Sequence, residues 1–245
     1  PLEIKGQQTI SLPLKRHFTK EGQHPFHEVG WKKVKMTVRN TNGHSEEREL
    51  EFPYFWSDNA ASIAGSKYFR GRIGTPERES SVKQMIGRVA QMIRKWGIEF
   101  GYFDSEMEAN VFENELTYIL LHQRAAFNSP VWFNAGIEQN SQCSACFILS
   151  VEDNMQSILQ WVQNEGMIFK GGSGSGINLS NLRSSREKLS KGGFSSGPVS
   201  FMKVFDIATR QVMQGGKKRG ANMGILNVDH PDILDFISAK SERGE

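Results

Sequence analysis

Apolar and polar positions divide the chain into an early stretch of strand-like alternation, a helical middle and a closing series in which short strands alternate with helices. Residues 9–14 and 31–38 alternate with a period of two, which predicts strands. The run 41–44, Thr-Asn-Gly-His, reads as a hairpin turn, because Asn-Gly suits the φ > 0 positions of a two-residue loop. Residues 1–55 are therefore expected to form an extended N-terminal region. Ser57 or Asp58 is placed to cap a helix reaching about Phe69. Val82, Met85, Ile86, Val89, Ile93 and Trp96 fall on one stripe, predicting an amphipathic helix that ends at Gly97. Phe112, Leu116, Ile119 and Leu120 predict another helix over about 106–125. Residues 56–135 thus read as a helical domain.

The pattern changes after the run 128–130, Asn-Ser-Pro. Residues 146–149, 177–180 and 224–228 read as strands, and 154–169 and 198–214 as helices. A last helix is expected to be capped by Asp229 or His230, with Pro231 at its first position, where a missing N–H costs nothing. Strand and helix in strict alternation predict βαβ units with parallel strands, so 136–245 reads as α/β. Three strands do not close a barrel, and more are expected after Glu245. Pro1 at the start and the polar run 241–245 at the end read as cut ends, so the chain is expected to be a piece of a longer protein.

Composition narrows the field. Hydrophobic residues at 38% and charged residues at 23% are the proportions of a globular protein. No apolar run approaches the roughly 18 residues of a membrane span, and no signal peptide is recognisable, so no membrane partner is expected. Two cysteines, at 143 and 146, are no disulfide framework, which makes a reducing cytoplasm the default. A net charge of +3 suits nucleotide ligands without calling for nucleic acid.

Candidate chemistry lies mostly in the α/β part. Cys143 and Cys146 form a C-x-x-C that runs into a strand. A structural role, half of a zinc site and a dithiol couple are all open. Zinc wants four ligands, though, and no second pair is present to complete a site, so no metal ligands are assigned. A redox couple normally opens a helix, whose N-terminus lowers a thiol pKa. The run 171–176, Gly-Gly-Ser-Gly-Ser-Gly, leads from a helix into a strand. That is the reverse of a phosphate-binding loop, so it marks either a helix-ending turn or a backbone that something approaches closely. Two loops are basic and rich in Gly or Ser: 184–196, and 213–222 with Lys217, Lys218 and Arg219 between glycines. Either is an ordinary solvated loop or an anion contact, and two of them in one α/β sheet make a nucleotide site more credible.

Several runs taken together resemble the class II, adenosylcobalamin-dependent ribonucleotide reductases. They are 66–71 (Ser-Lys-Tyr-Phe-Arg-Gly), 127–134 (Phe-Asn-Ser-Pro-Val-Trp-Phe-Asn), 141–147 (Ser-Gln-Cys-Ser-Ala-Cys-Phe), 171–180 (Gly-Gly-Ser-Gly-Ser-Gly-Ile-Asn-Leu-Ser), 197–202 (Gly-Pro-Val-Ser-Phe-Met) and 225–233 (Ile-Leu-Asn-Val-Asp-His-Pro-Asp-Ile). Each is weak alone; their order and spacing are specific, and they cover the chain from about Phe52 onward. The resemblance implies an N-terminal helical domain followed by the first βαβ units of a ten-stranded α/β barrel, incomplete in this chain. It implies reduction of ribonucleotides to 2′-deoxyribonucleotides, in which a thiyl radical takes the 3′ hydrogen and a cysteine pair supplies two electrons. By motif position Cys146 is the first cysteine of that pair. Its partner and the radical cysteine are expected beyond Glu245.

The resemblance further implies substrate contacts at Ser129, Ala145, Cys146 and Gly174, and deoxynucleotide-effector contacts at Asp153 and Arg183. Class I relatives often carry serine where this chain has Ala145, so a hydroxyl contact is lost there. The loop 184–196 corresponds to the first specificity loop. The loop 213–222, with Gln214, Gly215, Gly216, Lys217, Lys218 and Arg219, corresponds to the second, which relays effector identity to the substrate base. Expected partners are a ribonucleotide, an effector such as dTTP, a thioredoxin-type reductant, the missing C-terminal part of the enzyme and a second copy as homodimer. The adenosylcobalamin pocket is expected to lie mostly outside this chain. The rival readings are a nucleotide-binding regulatory module or split-gene chain without catalysis, and a C-x-x-C oxidoreductase.

Overall fold

A computed structural model describes residues 14–39, 45–72, 74–137, 141–214 and 218–241. The chain divides into two compact units, Pro1–Cys143 and Ser144–Glu245.

In the first unit, β1 (Trp31–Arg39) and β2 (Ser45–Pro53) form an antiparallel hairpin with Trp31 opposite Pro53 and Arg39 opposite Ser45. The expected turn at 41–44 and all but Leu14 of the expected strand at 9–14 lie outside the described residues. The hairpin packs on helices: Val38, Leu50 and Phe52 share one core with Met85, Ile86 and Val89 of α2 (Val82–Glu99) and Leu120 and Leu121 of α3 (Glu106–Leu121). Ser81 and Gln84 close a capping box at the start of α2, each side chain bonded to backbone N–H across the first turn. The helix runs past Gly97 to Glu99. Gly97 is a packing glycine, since a Cβ there would overlap the Phe103 ring. Helix α3 stops at Leu121, short of 125, because Gln123 turns to φ 54°.

Helix α1 (Asp58–Ile63) is capped by Ser57, which accepts from the Ala60 N–H. It continues as a π-helical turn, Ala64–Tyr68. Arg78 secures the chain as it leaves that turn, its guanidinium donating to the carbonyls of Gly65, Phe69 and Gly71. Gly71 sits at φ +90° with the Glu77 carbonyl where a Cβ would point, so only glycine fits. Sequence periodicity misses α4 (Ser129–Asn134), six residues started by the Asn128 side chain accepting from the Val131 N–H and by Pro130 in its first turn.

The second unit is a parallel sheet in the order β3 (Cys146–Ser150), β4 (Gly174–Asn178), β7 (Asn222–Ile225). Helices α5 (Met155–Lys170) and α6 (Gly197–Gln211) make the crossovers. Right-handed crossovers that advance strand by strand put both helices on one face, and Trp161 of α5 stacks on Phe205 of α6 over Ile177 and Leu226. Phe147 and Leu149 point to that face. Cys146, Ile148 and Ser150 point to the other, where Ile148 is 92% exposed. Parallel sheets are ordinarily covered on both faces; in this chain the described helices α5 and α6 pack on one of them.

Strands β4 and β7 begin earlier than their apolar residues suggest, at Gly174 and Asn222. The Gly-Ser-Gly run is itself strand rather than turn. Helix α6 ends at Gln211, and Met213–Gln214 (β5) pairs antiparallel with Lys218–Arg219 (β6), so the expected second loop is a small hairpin in the described backbone. Helix α7 (Ile233–Ser238) starts after Asp232, which makes no side-chain cap bond, and not at Pro231.

Candidate functional site

The two ends of the parallel sheet collect Ala145, Cys146 and Gly174 on one side and Asp153 and Arg183 on the other. At the N-terminal end, Cys146 and Gly174 are register partners. The Gly174 N–H donates to Ala145 O at 2.8 Å and the Ser175 N–H to Ala221 O at 3.0 Å. The Cys146 thiol is free and exposed, on the face away from the helices. Gly174 and Gly176 stand beside Cys146 and Ile148 on that same face, so the neighbouring strand presents bare backbone there. A Cβ on Gly174 would lie 3.1 Å from Ala221 O. The glycines therefore leave bare backbone next to the exposed thiol. Ala145, Cys146 and Gly174 are brought together in the second unit; Ser129 belongs to the first.

There, Ser129 at the start of α4 shares a hydrogen bond of 2.9 Å with the Tyr68 hydroxyl, and Tyr68 stacks on Phe133. Arg88 fixes α4 from below, donating to Ala135 O and Trp132 O while its Nε bonds Glu79 at 2.8 Å. The other oxygen of Glu79 accepts from the Arg70 N–H. Tyr68 and Ser129 are thus joined to each other, while Arg88 and Glu79 hold the end of α4. Cys143, also in this unit, packs against the apolar core, and burial pushes its thiol pKa up.

At the C-terminal end of the sheet, Asp153 follows β3 and Arg183 follows β4. Arg183 donates its N–H to Asp153 Oδ1 at 3.2 Å and its Nε to Oδ2 at 2.6 Å. The two are brought together as a partly exposed ion pair, where an open α/β sheet places ligands. The following loop is folded on itself: Lys188 bridges Phe194, and Ser195 N–H donates to Glu187 O. Gly192 and Gly193 turn it at φ +90° and +85°. Its root is clamped by Asp232, 2% exposed, which accepts from Ser184 Oγ (2.6 Å), Ser185 N–H (2.8 Å) and Ser185 Oγ (3.1 Å). Burial alone would raise the Asp232 carboxyl. The bonds from Ser184 and Ser185, with His230 nearby, outweigh it and hold the pKa below its ordinary value. Of the second loop, Gly215, Gly216 and Lys217 lie outside the described residues; Gln214, Lys218 and Arg219 contribute backbone to the β5–β6 hairpin.

Sequence reasoning missed Tyr68, Glu165 and Asp232. Tyr68 and Asp232 lie within the runs 66–71 and 225–233. Glu165 had a visible signal: a carboxylate in the apolar stripe Ile158, Trp161, Ile168 of α5.

Two family models match the chain: class II vitamin B12-dependent ribonucleotide reductase over residues 32–123 and the ribonucleotide reductase barrel domain over residues 144–245. The chain belongs to the class II, vitamin B12-dependent ribonucleotide reductase family. It is 52% identical over 245 residues to the vitamin B12-dependent ribonucleotide reductase of Streptomyces avermitilis, covering 98% of this chain and 25% of that protein. The protein of that name from Rhodopirellula baltica is 42% identical over 252 residues, covering 90% and 24%. The vitamin B12-dependent ribonucleoside-diphosphate reductase of Thermoplasma acidophilum is 37% identical over 220 residues, covering 86% and 28%. The chain spans about a quarter of the length of these curated relatives.

The family implies cobalamin. Among the described residues, one cleft of about 320 Å³ is lined by Trp56, Tyr68, Met85 and Trp132, and one of about 370 Å³ runs along α5. Both stand at the low end of what holds a drug-sized ligand. Neither accommodates a whole corrin with its nucleotide tail. No helix among the described residues is long and apolar enough to cross a membrane.

Proposed function

We propose that this chain is the N-terminal part of the catalytic subunit of a cytoplasmic ribonucleotide reductase. In this reading it carries one cysteine of the reducing pair, part of the substrate floor and most of one effector site. The observation that carries the reading is the exposed Cys146 thiol on the open sheet face, in register with Gly174 and flanked by backbone that lacks side chains. Oxidation of Cys146 with a second thiol to a disulfide releases two electrons and two protons. These match the loss of the 2′ hydroxyl as water and its replacement by hydrogen.

In this reading Ala145 and Gly174 line the substrate beside Cys146. Asp153 accepts from an effector's ribose hydroxyl and Arg183 pairs with its phosphates, the two separating from each other to do so. The 184–196 loop, rooted by Asp232, borders the effector. Exposed Leu159 and Met167 of α5 and Val204 and Ile207 of α6 suit a homodimer that covers these helices. Adenosylcobalamin is the cofactor of this reading and a thioredoxin-type protein its reductant. The test is deoxynucleotide formation by the whole enzyme supplied with a ribonucleotide, adenosylcobalamin and a dithiol. Product is expected; its absence with all four bases would leave a nucleotide-binding module.

A further inference from the structure

Helix α5 begins just after Asp153, at one end of the sheet, and returns toward the other. Its third turn carries Glu165, about 16 Å along the axis from the cap residue Asn154. Glu165 is 1% exposed. Its Oε1 accepts from Ser175 Oγ at 2.6 Å and from Asn222 Nδ2 at 2.8 Å. Ser175 and Asn222 are register partners on β4 and β7. They are neighbours of Gly174 and Ala221, whose backbones form the floor beside Cys146. The single carboxylate oxygen therefore ties α5 to both strands at the rung next to the proposed substrate residues. Asn222 is also the first residue of β7, where the chain re-enters the sheet after the β5–β6 hairpin. Among the described residues Oε2 is buried without a partner, as is Trp161 Nε1 one turn earlier. A buried carboxylate with one oxygen unmatched is costly for a purely structural fastening.

We propose that Glu165 is a positioning residue that couples the effector end of α5 to the substrate end of the sheet. A nucleotide that pulls Asp153 away from Arg183 shifts the start of α5. The rigid helix carries that shift to Glu165, and the two hydrogen bonds of Oε1 pass it to Ser175 and Asn222, moving the floor beside Gly174. This inference rests on the effector reading of Asp153 and Arg183.

The test uses the whole enzyme and the variants Glu165→Leu, Glu165→Gln and Asn222→Ala. The first readout is base preference, the ratio of kcat/KM for two ribonucleotides, with and without dTTP. In Glu165→Leu and Asn222→Ala the effector-induced change in that ratio is expected to shrink to within twofold of no change. Glu165→Gln, whose carbonyl oxygen still accepts both bonds, is expected to retain most of it. The second readout is amide hydrogen exchange of residues 222–225, which dTTP is expected to slow in the wild type and not in Glu165→Leu. A Glu165→Leu enzyme whose base preference and exchange both respond to dTTP as in the wild type would overturn the coupling role. So would variants that lose rate equally for every base with the ratio intact, which marks a fastening only. If Glu165→Leu does not fold, Asn222→Ala carries the same expectation. Failure of dTTP to bind the wild-type enzyme would instead overturn the effector reading, and absence of any deoxynucleotide product the functional one.

Discussion

Replacing Asp232 by alanine is expected to free the root of the 184–196 loop while leaving the sheet formed. The carboxylate accepts from Ser184 Oγ, Ser185 N–H and Ser185 Oγ, and both Asp232 and Ser184 are 2% exposed. A hydrogen bond to a charged group contributes about 1.5–3 kcal/mol, and a buried donor left unpaired costs about 1–3 kcal/mol. Bonds that share one acceptor are not additive, so the expected loss is about 3 kcal/mol rather than the sum. That corresponds to about a hundredfold in a local opening equilibrium. The assay is native-state hydrogen exchange at the Ser185 amide, which donates directly to Asp232. Its protection is expected to fall about a hundredfold in Asp232→Ala while amides of β4 keep theirs. The pH dependence has a fixed sign. The folded pKa is depressed, so the contribution is complete above the ordinary aspartate value of about 3.9 and is lost as pH falls through the lower folded value. Asp232→Asn is expected to remove that acid-induced loss. Ser185 protection unchanged within twofold in Asp232→Ala would refute the clamp.

Arg183→Ala and Asp153→Ala in the whole enzyme are each expected to weaken dTTP binding about tenfold or more by equilibrium titration, with effector-free turnover less affected; unchanged affinity in both removes them from the effector site. Gly71→Ala is expected to destabilise the first unit by well over 1 kcal/mol in thermal unfolding, because φ is +90° and the Glu77 carbonyl occupies the Cβ position. Glu115 accepts from the N–H groups of Phe18 and Thr19 and from the Thr19 hydroxyl. Its pKa is lowered because these bonds outweigh burial, so segment 14–19 is expected to loosen only as pH falls below the usual glutamate range, and Glu115→Gln to loosen it at neutral pH, both read by limited proteolysis. This 245-residue chain alone is expected to form no deoxynucleotide, since the proposed chemistry uses three thiols and the chain has two.

The parts of the fold that could be read in advance were those written in side-chain periodicity. The stripe from Val82 to Trp96 and the alternation of strand and helix after 146 declare themselves because burial of one face demands them. The strand at Gly174 and the hairpin beginning at Met213 do not. Their pairing rests on backbone hydrogen bonds between strands, and glycine carries no hydrophobic signal. Gly97 misleads because a glycine forced by a neighbouring ring looks like one that ends a helix. Cys146, Asp153 and Arg183 stand out through motif and strand-end position, and the fold pairs Asp153 with Arg183. The partners of Asp232 and Glu165 were not legible, even though Glu165 itself interrupts an apolar stripe, because Ser185 and Asn222 lie 47 and 57 positions away in sequence, a proximity that only the folded sheet creates.

Replacement of Cys146 by serine in the whole enzyme tests the central claim most directly. Serine preserves shape but cannot donate electrons. With adenosylcobalamin, a saturating ribonucleotide and thioredoxin, the variant is expected to bind substrate within a few-fold of the wild type yet show no sustained deoxynucleotide production. Repeated turnover by Cys146→Ser at the wild-type rate would contradict the account.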